Sequence, residues 1–161
     1  MNRTDFFTLV QPLTPKLYRA GYCLMPDDLQ VEQLVVDAFN GYLIREKKNI
    51  LNLKELQDIA KKDLQVQRRI HFKGILKNLA EIGLRRSLQL SDQINRSRPQ
   101  DFQSFFKLDP RVRLTLCLRY DFQFTTNEIE DITGMTRYEV IEKLHNGRYL
   151  LLHDFNQGAL V

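Results

Sequence analysis

Hydrophobic positions recur at three- and four-residue spacing along most of the chain, which is the spacing of one face of an α-helix. The first two such stretches run from about Pro15 to Met25 and, after an aspartate cap at Asp27 or Asp28, to about Arg45. A third runs from Leu53 to about Leu64, and a fourth from about Val66 to Leu90. Sustained alternation of polar and apolar residues is absent, so the sequence predicts an all-α fold.

A polar stretch at residues 91–101 (SDQINRSRPQD) interrupts this pattern and is almost free of apolar side chains. It predicts two small helical domains, at about 1–90 and 102–161, joined by a linker. The second domain opens with the apolar segment FQSFFKL, followed by a helix with Asp109 as its cap and Pro110 at its first position. The apolar residues expected to be buried in that helix are Val112, Leu114, Leu116, Leu118 and Tyr120.

The pattern then predicts a helix-turn-helix at the C-terminal side of the chain. Thr125 and Glu128 have the spacing of a capping box that opens the first helix, and Thr136 and Glu139 repeat it for the second. Gly134 lies between them, where a tight turn needs a positive φ. The inward positions are Ile129, Ile132, Val140 and Leu144.

Charge is distributed unevenly behind a net charge of +4. Residues 45–98 carry 14 basic and 6 acidic side chains, whereas residues 108–161 carry 6 basic and 8 acidic ones. A concentrated basic field favours polyanions because it releases their counterions, although a solvated lysine-rich face would have the same composition. The candidate basic face of the fourth helix consists of Lys73, Lys77, Arg85 and Arg86.

Signals of enzymatic chemistry are missing from the sequence. There is no phosphate-binding glycine loop, and His71, His145 and His153 have no carboxylate or thiol at metal-site spacing. We therefore expect no catalytic residues, no metal and no cofactor. Cys23 and Cys117 are far apart and sit among apolar residues, so we expect buried free thiols in a reducing compartment. With no apolar run long enough for a membrane span and no secretory signal, the expected location is the cytoplasm.

Three stretches resemble the bacterial extracytoplasmic-function sigma factors, the minimal sigma-70-type subunits of RNA polymerase. LYRAGYCLMPDDLQVEQLVVDAFNGYL is similar to the family region that binds the polymerase clamp. FKGILKNLAEIGLRR is similar to the helix that meets the −10 promoter element. LDPRVRLTLCLRYDFQFTTNEIEDITGMTRYEVIEKLHNGRYLLL is similar to the region that reads the −35 element.

This resemblance implies a divergent sigma factor that binds RNA polymerase core and directs promoter-specific transcription initiation, with an anti-sigma factor as an optional further partner. The implied domains are a region 2-like unit at 1–90 and a region 4-like unit at 102–161. Polymerase contacts are expected from Leu34, Asp37, Phe39 and Tyr42. DNA contacts are expected from Lys73, Lys77, Arg85, Arg86, Thr125, Thr126, Arg137, Tyr138 and Lys143.

Departures from the family pattern keep two other functions open. The recognition helix carries Glu139 and Glu142, which a phosphate backbone repels, and Gln33 and Val36 replace the usual Asp and Gln of the clamp-binding region. One alternative is a sigma-like interaction protein, a decoy or adaptor for an anti-sigma factor or polymerase that does not read a −35 sequence. The other is a helix-turn-helix regulator that acts without polymerase. Residues 46–65 form a longer insertion than the family's usual loop, so its role is left unassigned.

Overall fold

The computed structural model describes residues 3–46, 53–90 and 103–158, and within these ranges the chain is helical with no β-strand. The expected all-α class is confirmed for this part of the chain, and none of its helices is long and apolar enough to cross a membrane. The expected linker at 91–101 lies outside the described residues. The helices and helical turns are α1 (Arg3–Val10), a 3₁₀ turn (Gln11–Leu13), α2 (Thr14–Leu24), α3 (Asp28–Arg45), α4 (Leu53–Asp58), α5 (Lys61–Gln89), α6 (Gln103–Lys107), α7 (Pro110–Leu116), a π-helical turn (Cys117–Asp121), α8 (Thr126–Thr133) and α9 (Arg137–Gly158).

Two helix boundaries differ from the sequence prediction. Helix α1 was not predicted, yet it buries Phe6, Leu9 and Val10 in the core. The expected third helix does not reach Leu64, because the chain is extended at Ala60 and α5 begins directly after it. Leu64 therefore packs against the core from the first turns of α5.

The N-terminal core is formed where α2 and α3 pack against the long helix α5. Helix α3 starts where predicted, since the Asp27 carboxylate accepts a hydrogen bond from the Gln30 amide at 2.9 Å. Leu24, Leu34 and Leu79 are fully buried between the three helices. The apolar stripes read from the sequence thus face one another.

Helix α7 and the π-helical turn form the centre of the C-terminal segment. Four of the five expected residues of this stretch are buried, but Tyr120 is 55% exposed. A π-helical turn has a wider hydrogen-bonding pattern than an α-helix, which shifts the residues after Cys117 relative to the four-residue spacing of Val112 and Leu116. Tyr120 is consequently turned toward solvent.

Helices α8 and α9 are joined by a short turn, and we call them together the α8–α9 unit. Gly134 ends α8 in the left-handed conformation with φ of 71°, which a residue without Cβ adopts without strain. Thr125 and Glu128 form the expected reciprocal capping box. The Glu139 carboxylate accepts from the Thr136 amide at 2.7 Å, while the Glu139 amide donates to the Thr136 hydroxyl. The four inward positions are all buried: Ile129, Ile132, Val140 and Leu144.

The segments before and after residues 91–102 share one apolar core, and a buried arginine joins them. Arg113 of α7 is 3% exposed, and its guanidinium donates to the carbonyls of Cys23 and Leu24 at the end of α2 at 2.7 and 3.0 Å. The same group donates to the Phe106 and Leu108 carbonyls at 3.1 and 2.7 Å. A single side chain therefore satisfies carbonyls from both segments.

The two cysteines meet beside this junction. Both are free, as expected; Cys117 is buried, but Cys23 is only half-buried. They line an apolar cavity of about 880 Å³ between α2 and the C-terminal helices. A hydrogen bond with Cys23, together with burial, raises the pKa of the Cys117 thiol well above its usual range, so this thiol stays protonated.

Candidate nucleic-acid interface

The four basic residues expected on one face of α5 are divided among different surroundings. Lys73 and Lys77 are one turn apart and face α8. Arg86 lies on another side of the helix and pairs with Asp37 of α3. Arg85 is exposed and has no ion-pair partner among the described residues. Because successive residues of an α-helix are 100° apart, residues 73 and 86 cannot share one face.

Helix α8 lies against α5 through a row of ion pairs, which we call the ion-pair seam. Glu128 accepts from Arg69 at 2.7 Å and from Lys73 at 2.6 Å through the same carboxylate oxygen. One turn further along, Lys77 and Asp131 approach to 3.3 Å. The seam therefore places the carboxylates of α8 on part of the basic surface that the sequence assigns to DNA.

Glu128 is the most enclosed carboxylate of the seam, with its side chain 16% exposed. Burial alone raises the pKa of this group. Hydrogen bonds from Lys73, Arg69 and the Thr125 amide, together with the charge of Lys73, outweigh burial and hold the pKa of Glu128 at about 2. Glu128 is thus both the capping-box residue of α8 and its contact with α5.

Replacing Glu128 with Gln should lower stability in a manner that depends on pH. The folded pKa lies below the ordinary value of 4.5, so the contribution is present above pH 4.5 and is lost as pH falls toward 2. We expect Glu128→Gln to lower the free energy of unfolding by about 1–3 kcal/mol near neutral pH. Urea unfolding of both proteins between pH 7 and 2 should show this difference shrinking below pH 4.5. Glu130→Gln on the same helix is the control; a difference for Glu128→Gln that stays constant with pH would contradict the assignment.

Aromatic side chains pack beneath one end of the ion-pair seam. The Phe72 ring of α5 is stacked with Phe124 at 6.2 Å between centroids and meets the edge of Phe122 at 5.9 Å. The Arg69 guanidinium lies 5.7 Å from the centre of the Phe124 ring. Phe72 and Phe124 are buried, so the contact between α5 and the segment entering α8 is apolar as well as ionic.

The outer face of α9 is exposed and chemically mixed. Tyr138 is 77% exposed and Ile141 is 51% exposed. Arg137 donates to the Asn127 side chain at 3.2 Å, and Lys143 lies 4.0 Å from Glu142. This face offers two cations, one carboxylate and two large apolar groups to a partner.

The remaining residues assigned to DNA in this unit have structural roles as well. Thr125 caps α8, and Thr126 is half-buried in its first turn. Glu139 is held in its capping box, where hydrogen bonds from the Thr136 amide and hydroxyl lower its pKa. Glu139 is therefore engaged by its own helix, which leaves Glu142 as the carboxylate to explain.

The residues assigned to polymerase binding lie mostly in the core. Leu34, Phe39 and Tyr42 are buried, and the Tyr42 hydroxyl hydrogen bonds with His71 Nδ1 at 2.8 Å. Asp37 pairs with Arg86. The outward face of α3 instead presents three apolar side chains that the sequence assignment left out: Leu29, Val36 and Ile44.

Sequence reasoning also missed Arg69, Glu128 and Asp131 as members of one site. Arg69 precedes Lys73 by four residues, a spacing that could have extended the basic row. No local signal pairs residues 69–77 with residues 128–131. That pairing arises only from tertiary packing.

Comparison with protein-family models, with curated proteins and with solved structures finds no match to this chain. A functional proposal therefore depends on the sequence resemblance and on the geometry of α3, α5 and the α8–α9 unit.

Proposed function

We propose that the protein is a divergent sigma factor, which binds RNA polymerase core and directs promoter-specific transcription initiation. The observation that carries the proposal is the α8–α9 unit. Two capping boxes and a left-handed glycine form its turn, and α9 projects Arg137 and Tyr138 from its first exposed turn. In this proposal the unit is the helix-turn-helix of a C-terminal domain at 102–161. The N-terminal domain at 1–90 meets the −10 region, and the protein acts in the cytoplasm without catalysing a reaction.

Helix α9 has the length and exposure to lie in a major groove. Arg137 and Lys143 are long enough to reach phosphates or guanine, and a good bidentate contact discriminates bases by about 1–3 kcal/mol. Glu142 can accept from the amino group of cytosine but is repelled by phosphates. We therefore expect weak DNA reading, or a sequence preference set by Glu142.

The polymerase contact is proposed for the outer face of α3. Leu29, Val36 and Ile44 are exposed along it and need burial. The buried residues Leu34 and Phe39 support this helix from inside rather than touching the partner. An apolar centre of this kind is typical of the part of an interface that contributes most to affinity.

Capture of RNA polymerase core from a bacterial lysate, followed by run-off transcription, tests the proposal. The tagged full-length chain should retain core at low and moderate salt. Val36→Glu with Ile44→Glu should reduce capture at least tenfold, because each change buries a charge in an apolar contact. Val66→Glu with Ile70→Glu, which changes exposed apolar residues of α5, is the matched control. Failure of the wild-type chain to capture core would contradict the proposed function.

A second candidate is a sigma-like interaction protein that binds polymerase or an anti-sigma factor without reading a −35 sequence. The ion-pair seam favours it, since three cations of α5 are already neutralised by the chain's own carboxylates. A randomised duplex pool offered to the full-length chain separates the two functions. Recovery of a sharp motif supports the sigma factor. Tighter binding after Glu142→Arg, without a motif for the wild type, supports the interaction protein.

A further inference from the structure

The ion-pair seam has the charge arrangement of a cationic row on a phosphate backbone. Lys73 and Lys77 are one helical turn apart on α5, and the carboxylates of Glu128 and Asp131 are one turn apart on α8. One Glu128 oxygen accepts from two cations, Arg69 and Lys73, within 2.7 Å. Phosphate oxygens are bound by Lys and Arg in the same way.

We propose that Arg69, Lys73 and Lys77 form a site for the nucleic-acid backbone, and that the carboxylates of α8 occupy this site in the free protein. The inference rests on the proposed function, because it assigns a mode of regulation to the DNA surface of α5. In the free chain α8 and DNA compete for the same three cations. The protein is then self-inhibited until α8 moves away from α5.

The exposure of the seam makes such an exchange feasible. The side chains of Arg69, Lys77 and Asp131 are each more than half exposed, and ion pairs of that kind contribute little net stability in water. A polyanion can therefore replace Asp131 at small cost. The more enclosed pair of Lys73 and Glu128 makes the closed arrangement more specific than a random surface contact.

The aromatic contact beneath the seam explains why the closed arrangement is the resting one. Phe72 and Phe124 are buried against each other, and moving the start of α8 away would expose both rings to water. DNA alone has to offset this loss, whereas a protein partner that binds the α8–α9 unit can supply the difference. By linkage, any partner that favours the open form raises DNA affinity by the same factor as DNA raises the affinity for that partner.

Removing the carboxylates tests the proposal without disrupting the aromatic contact. The full-length variant Glu128→Gln with Asp131→Asn should bind a short mixed-sequence duplex about tenfold or more tighter than the wild type. The slope of log K against log salt should become steeper by about 0.9 for each additional phosphate that the protein neutralises. The control is Glu32→Gln with Glu81→Gln, which changes the net charge equally at exposed positions away from the seam. It should increase affinity far less.

A reversal experiment separates direct occupation from a general effect on folding. Adding Lys73→Gln and Lys77→Gln to the carboxylate variant should abolish the increase in affinity and return the salt slope toward that of the wild type. In the wild-type chain, a zero-length carbodiimide reagent should join the Lys73 amine to the Glu128 carboxylate as an amide. Peptide mapping identifies this link, and the linked protein should bind duplex more weakly than untreated protein.

Equal duplex affinity for the carboxylate variant and its charge-matched control would overturn the inference, and so would absence of the cross-link. Neither result alters the proposed function if the same preparations still capture polymerase core. Loss of polymerase capture by the wild type would overturn the proposed function, and the comparison of duplex affinities would still decide whether α8 covers the cations.

Discussion

Replacing Arg113 with Ala should lower the free energy of unfolding by about 3–5 kcal/mol, because it leaves several buried carbonyl groups without donors. Its guanidinium reaches the last carbonyls of α2, at Cys23 and Leu24, and those of Phe106 and Leu108. Each buried carbonyl that loses its partner costs about 1–3 kcal/mol unless water enters. Chemical denaturation followed by circular dichroism measures the effect.

Two further variants define what Arg113 contributes. Arg113→Lys keeps the charge but not the planar fork of donors, so it should recover only a small part of the lost stability. Arg111→Ala, two residues earlier and exposed, should change stability by less than about 0.5 kcal/mol. If Arg113→Ala proved as stable as Arg111→Ala, the proposed junction between the two segments would be wrong.

Gly74→Ala should destabilise the protein by about 1–3 kcal/mol, although alanine is the better helix former by about 1 kcal/mol. A Cβ at this position would lie 2.2 Å from Cε2 of the Tyr42 ring. That ring cannot move aside freely, since it is buried, stacked on Phe6 and hydrogen-bonded to His71. The substitution must therefore shift α3 or break the hydrogen bond.

Gly41→Ala is the matched control for this prediction. Gly41 also lies within a helix, but a Cβ there would be 3.4 Å from its nearest neighbour, the side-chain nitrogen of Asn78. We expect this change to be neutral or to stabilise by up to about 1 kcal/mol. Thermal unfolding of the two variants side by side checks the contrast. Equal melting temperatures would show that the contact between α3 and α5 is looser than the structure places it.

The sequence was sufficient where local chemistry determines the structure. The Asp27 cap, the two capping boxes and the left-handed Gly134 follow from side chains that satisfy backbone groups a few residues away. The buried positions Ile129 and Val140 follow from helical spacing. None of these features required knowledge of a distant residue.

The sequence was insufficient where tertiary packing decides. Tyr42 has the same helical spacing as a core residue or an interface anchor, and only the position of α5 shows that it is buried on His71. Likewise, the 59 positions that separate Arg69 from Glu128 give no signal that the two pair. The basic face therefore looked free in the sequence, although α8 covers part of it in the structure.

The π-helical turn at Cys117–Asp121 has a consequence for insertions and deletions in this chain. Deleting one residue there would restore a regular α-helix and rotate everything that follows by about 100°. Phe124 would then leave Phe72, and Glu128 would point away from Lys73. The length of this short segment, and not only its composition, decides whether α8 covers α5. Related chains that differ by a single residue at this point should therefore leave the cations of α5 uncovered.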